Sequence, residues 1–136
     1  PLGFVIKGKD ETILYMTDTG YVSQKNMGYI KNLDYYIFES NHDIEMLMNT
    51  RRPLFLKNRI FGDKGHLNNE YSAHIMAQVI GERTKEICLA HLSEEANTKE
   101  TALNTYQRVF DEEHIYFDEI KVADQKDIVS GGHYEN

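Results

Sequence analysis

The chain has 136 residues, 40% of them hydrophobic, which is enough for one domain with its own core. No apolar run approaches the length of a bilayer span and no basic-then-apolar leader opens the sequence, so it reads as a soluble cytoplasmic chain with no membrane partner. The net charge of -7 argues against a general coat for nucleic acid, which needs clustered Lys and Arg.

In chain order, Leu2 to Ile6 and Thr12 to Thr17 are β-rich runs around the turn-forming Gly8, Lys9, Asp10 and Glu11, which predicts a hairpin. Ser23 is placed to cap a short helix running to about Lys31. DYYIF, residues 34–38, predicts a strand, and Asp43 a cap for a helix through Glu45 to Met48. Residues 51–64, RRPLFLKNRIFGDK, hold five basic groups against the single acid Asp63, broken by Pro53 and Gly62 and read as loop. Helical spacing of Tyr71, Ile75 and Val79 predicts a helix from Asn68 to about Glu82. A strand at Glu86 to Ala90, an amphipathic helix at Thr98 to Phe110 and a strand near Ile120 to Val122 follow, and residues 124–136 read as a loose tail. The single cysteine, Cys88, sits in the fourth strand and is most simply a small buried hydrophobe in a reducing compartment. The chain starts at Pro1 and enters a strand at once, which suggests a processed chain or a piece of a longer one.

Strands alternating with helices after an opening hairpin imply a mixed, mostly parallel α/β sheet. In such sheets ligands gather beyond the carboxyl ends of the strands. Three strands finish there on polar chemistry: Asp18 after the second, Glu39-Ser40-Asn41-His42-Asp43 after the third, and His91 with Ser93 after the fourth. His66 stands just before the long helix, beside an N-terminal dipole suited to anions. Taken singly, each has a plainer reading: an Asx turn at Asp18, acids leading into a helix at Glu39 and Asp43, a solvated His42, a turn at Gly65-His66 and a capping His91. One Cys excludes a zinc finger, and no Gly-x-x-x-x-Gly-Lys stretch offers a P-loop.

Four motifs in order, TDTG at 17–20, ESNHD at 39–43, GHLNN at 65–69 and HLSEEAN at 91–97, resemble the C-terminal half of a metallo-β-lactamase-fold hydrolase, closest to its YycJ (WalJ) group. The resemblance runs to about Val122 and implies half of an αββα sandwich across residues 1–136. It implies two divalent metal ions, zinc or manganese, with Asp18 bridging them and His91 a ligand. It also implies that His66 contacts the scissile phosphate or gives a proton to the leaving group, with Asn41 and His42 lining the site. Asn68 departs from the motif, standing where Ser is common.

The family's first metal motif, His-x-His-x-Asp-His, has no match in this sequence. The resemblance therefore implies a metal-dependent phosphodiesterase or DNA exonuclease only in a complete protein, with the missing half of the fold as partner. Asp18 and His91 alone are too few ligands for the usual closed or catalytic site. The basic run, through Arg51, Arg52, Lys57 and Arg59, favours a phosphodiester such as DNA over a β-lactam. The other readings are a non-catalytic interaction or folding module and a hydrolase of small amides or esters. The absent half also predicts an exposed apolar sheet face, through which the chain would pair as a homodimer.

Overall fold

In the computed structural model, residues 2–17, 22–50 and 66–123 are described. Asp18, the basic segment with Arg51, Arg52, Lys57 and Arg59, and the tail at 124–136 lie outside them. Five strands, β1 (Leu2–Lys7), β2 (Thr12–Thr17), β3 (Tyr35–Glu39), β4 (Glu86–Ala90) and β5 (Ile120–Val122), form one sheet in sequential order. The β1–β2 hairpin is antiparallel, closed by a Gly8 N–H to Glu11 carbonyl bond of 2.8 Å, and every later neighbour pairs in parallel. Parallel neighbours need crossovers, and α1 (Gln24–Tyr29), α2 (Ile44–Met48), α3 (Asn69–Val79) and α4 (Lys99–Glu112) lie in them. No helix among the described residues is long and apolar enough to cross a membrane.

Alternation along the strands separates two faces. Leu14, Tyr36, Phe38, Ile87, Leu89 and Val122 form one apolar cluster with Met27 and Ile30, with Ala73, Met76 and Val79 of α3, and with Ala102, Tyr106, Val109 and Phe110 of α4. The opposite face, with Ile13, Tyr15, Tyr35, Ile37 and Cys88, is only half-buried. It also carries Glu39, two residues beyond Ile37 at the carboxyl edge.

Each of the four described helices begins on a capping side chain. Ser23, Asp43, Asn68 and Thr98 each accept the N–H three residues on, at 3.2, 3.0, 2.8 and 3.0 Å. The helix ends were less legible. α1 stops at Tyr29, and α3 stops at Val79, whose carbonyl accepts the Asn32 N–H at 2.7 Å instead of continuing the helix to Glu82. Gly81 is needed beside that turn, since a Cβ there would come within 2.3 Å of Asn32 Oδ1.

Buried polar groups at the two ends of the sheet have different uses. At the amino edge, Asp34 accepts from the Thr12 N–H at 2.8 Å and from Arg83 at 3.0 Å, tying β2 and the turn before β4 to β3. That accounts for a buried acid by structure alone. At the carboxyl edge the same question has another answer.

Candidate active site

β3 ends on Glu39, whose side chain has no exposure to solvent. A buried carboxylate is costly unless charge and hydrogen bonds compensate. Oε2 accepts the Leu67 N–H at 2.8 Å, while Oε1 meets His66 Nδ1 at 3.0 Å and His91 Nδ1 at 2.6 Å. Burial pushes the Glu39 carboxyl up, but the bonds from His66, His91 and the Leu67 amide outweigh it and hold the group below the usual carboxylate range.

The two imidazoles approach edge to face with centroids 5.1 Å apart, and each is partly exposed. An ionised carboxylate only accepts, so both rings carry a proton on Nδ1, and in the neutral ring Nε2 is the lone-pair nitrogen. This is the carboxylate–histidine pairing that orients metal-binding imidazoles and raises their basicity.

One ligand atom from each of Glu39, His66 and His91 lies within 4.8 Å of the others, so the three can hold a metal ion. Their spacing tells how. Two atoms each bound to zinc at about 2.0–2.1 Å and tetrahedral angles stand roughly 3.3 Å apart. The 2.6 Å from Glu39 to His91 Nδ1 is shorter than that and is a hydrogen bond. The geometry therefore suits Glu39 behind the histidines, with their Nε2 atoms toward the ion or substrate.

The other candidate positions fall around this cluster. β2 ends at Thr17 on the edge where β3 and β4 end, one residue before Asp18, which is itself outside the described residues. Asn41 and His42 lie beneath the histidines, at 9% and 1% exposure, with the Asn41 side chain bonded to the His91 carbonyl at 2.8 Å and to His42 Nδ1 at 3.1 Å. Asn68 caps α3 and bridges to His42.

Deeper still, Asn69 and Asn97 pair through their amides at 2.9 Å, and Asn97 Nδ2 also reaches the Ser40 and Asn41 carbonyls at 3.0 Å. Ser72 Oγ donates to the Glu39 carbonyl at 2.6 Å and meets Tyr106 Oη at 2.5 Å. The loops leaving β3 and β4 are thus fixed to the start of α3 by satisfied buried polar groups, the kind of network that rigidifies a site. Sequence reasoning named Glu39 only as one of the polar groups at the strand ends, or as an acid leading into a helix, and made it neither ligand nor catalytic group. Its one local signal was an acid closing the apolar run DYYIF.

The chain is 44% identical over 112 residues to the exodeoxyribonuclease YycJ of Bacillus anthracis, covering 82% of this chain and 42% of that protein. The exodeoxyribonuclease WalJ of Streptococcus pneumoniae is 47% identical over 93 residues, 68% of this chain and 35% of its own length. The chain is a relative of the YycJ/WalJ group. The crystal structure of the metallo-β-lactamase-fold protein YhfI from Bacillus subtilis superposes with a TM-score of 0.61 over 89% of this chain and 39% of that one, at 18% identity. The five-stranded sheet and its helices are therefore part of a metallo-β-lactamase fold. No family model matches the chain. It spans 35–42% of the length of these YycJ/WalJ relatives.

Proposed function

We propose that this chain supplies one part of the active centre of a metal-dependent phosphodiesterase, a DNA exonuclease when the protein is complete. The observation that carries the reading is Glu39: a fully buried carboxylate at the carboxyl edge of a parallel sheet that holds two partly exposed histidines through Nδ1. The similarity to two proteins named exodeoxyribonucleases supports the substrate class.

In this reading His91, through Nε2, and Asp18 would hold the metal, and the remaining ligands would come from sequence outside this chain. Two divalent ions, zinc or manganese, would supply Lewis acidity and a nucleophilic water at neutral pH. His66, turned by Glu39 so that Nε2 faces outward, stabilises charge on the leaving oxygen or gives it a proton. Arg51, Arg52, Lys57 and Arg59 bind the DNA backbone without regard to base sequence. The half-buried sheet face is covered by the rest of the protein, with pairing of two copies as the alternative. The single Cys suits a reducing compartment, and the reading places the protein in the cytoplasm.

The test is cleavage of end-labelled DNA by the complete protein, with affinity measured against salt. His66→Ala should depress turnover with little loss of binding, because its interaction grows in the transition state. Changing Arg51 and Arg59 together to Ala should weaken binding and flatten the salt dependence, each lost phosphate contact reducing the slope by about one. Full turnover in His66→Ala would remove the histidine from the mechanism. Metal-dependent cleavage of small esters or amides with none of DNA would replace the substrate class.

A further inference from the structure

His91 is the residue on which the site turns, and its backbone is not relaxed. It has φ 61°, in the left-handed region that a β-carbon disfavours. Such a conformation persists only where the surroundings fix it. It is also needed here: the chain leaves β4 at Ala90 and must bend at once for the imidazole to reach Glu39 at 2.6 Å.

The surroundings that fix it converge on one residue. Asn41 Nδ2 donates to the His91 carbonyl at 2.8 Å, and the Asn41 carbonyl accepts the Ser93 N–H at 2.7 Å, so the bend is gripped on both sides of Leu92. The Asn41 N–H donates to the Leu67 carbonyl at 2.8 Å, one residue after His66. A single residue, two positions from Glu39 and 9% exposed, thus ties the His66 arm to the His91 arm. The Asn97 amide holds the Asn41 carbonyl at 3.0 Å from below.

We infer that Asn41 is a positioning residue: its side-chain amide holds His91 in the left-handed turn that presents the imidazole to Glu39 and Nε2 to the metal. Its main-chain bond to Leu67 sets the spacing of the two histidines. The donor is the essential feature. Asp has the same shape but would place a carboxylate oxygen against the His91 carbonyl, so it removes the bond and adds repulsion.

The inference rests on His91 being a metal ligand, and the experiment separates the two claims. Zn²⁺ affinity is measured by chelator competition in the complete protein, its His91→Ala variant and its Asn41→Asp variant. Imidazole nitrogen spectra of the metal-free proteins report the His91 tautomer. The expected result is weakened Zn²⁺ binding in His91→Ala, and in Asn41→Asp a loss on the order of 10- to 100-fold, as for other groups that orient a ligand. The His91 ring should change in Asn41→Asp from a fixed Nδ1–H tautomer to an averaged one, which a merely structural loss of stability would not produce.

Unchanged affinity in His91→Ala sinks the ligand assignment itself. Weakened binding in His91→Ala with an unmoved ring and full affinity in Asn41→Asp overturns the role of Asn41 alone. Should Asn41→Asp not fold, the unmodified protein decides. There the His91 amide coupling and contacts to Hα should be those of a left-handed residue, with one Asn41 amide proton protected from exchange. A His91 with ordinary negative φ overturns the inference.

Discussion

Glu39 carries two residue-scale predictions. Glu39→Gln keeps the shape, but its neutral side chain cannot bind the two Nδ1–H groups as a carboxylate does. In the complete protein this substitution should weaken divalent-metal binding on the order of 10- to 100-fold with the fold kept, as measured by chelator competition and circular dichroism. Because the Glu39 carboxyl is held below its usual range, the stability it contributes is present above the ordinary carboxylate pKa. It is lost as pH falls through the lower folded value. Denaturant titrations of the metal-free chain at a series of pH values should therefore show the gap between Glu39 and Glu39→Gln closing on the acid side. A gap that widens there reverses the sign. Cys88 moves the other way: burial first, then Glu86, pushes its thiol up. Only the thiolate is nucleophilic. Iodoacetamide labelling of the native 136-residue chain at about pH 8 should lag the unfolded chain and recover only at higher pH; equal rates would contradict the shift.

Elements were legible where a side chain signals locally and opaque where distant contacts decide. Ser23 and Asp43 announced their helix starts, and the starts near Asn68 and Thr98 were legible too, because capping is settled within three residues. The α3 end was not announced, since Val79 is stopped by Asn32, 47 positions earlier. The site divides in the same way. His66 stood out as a histidine just before a helix and His91 as one closing a strand, whereas Glu39 acquires its meaning from partners 27 and 52 residues away. Asn41 and His42 were expected to line the site, with a solvated His42 as the plainer reading, and neither was expected to be buried. They lie inside because Asn69, Asn97 and the loop carbonyls satisfy the polar groups around them. The cap at Asn68 gives the element-scale test. Asn68→Ala should cost about 1 kcal/mol by denaturant titration and Asn68→Ser much less, since Ser caps well. An equal loss in both would contradict the cap as the source of the Asn68 contribution, since the bridge to His42 is made by the main chain and survives either substitution.

At the scale of the whole molecule, one sheet face is packed by helices into a single core and the other is half-buried, with Glu39 at its carboxyl edge. The half-buried face is the one that the proposed function has covered by sequence outside this chain, which spans 35–42% of its YycJ/WalJ relatives. The central claim is that this chain holds part of a two-metal centre and is completed by sequence outside it. The most direct measurement is equilibrium dialysis of the 136-residue chain and of the complete protein against Zn²⁺ and Mn²⁺, followed by metal analysis. The account predicts two ions per molecule for the complete protein, reduced by His91→Ala and by Asp18→Ala, with weak or no binding by the 136-residue chain. Two tightly held ions in a monomer of the 136-residue chain, or none in the complete protein, would contradict it.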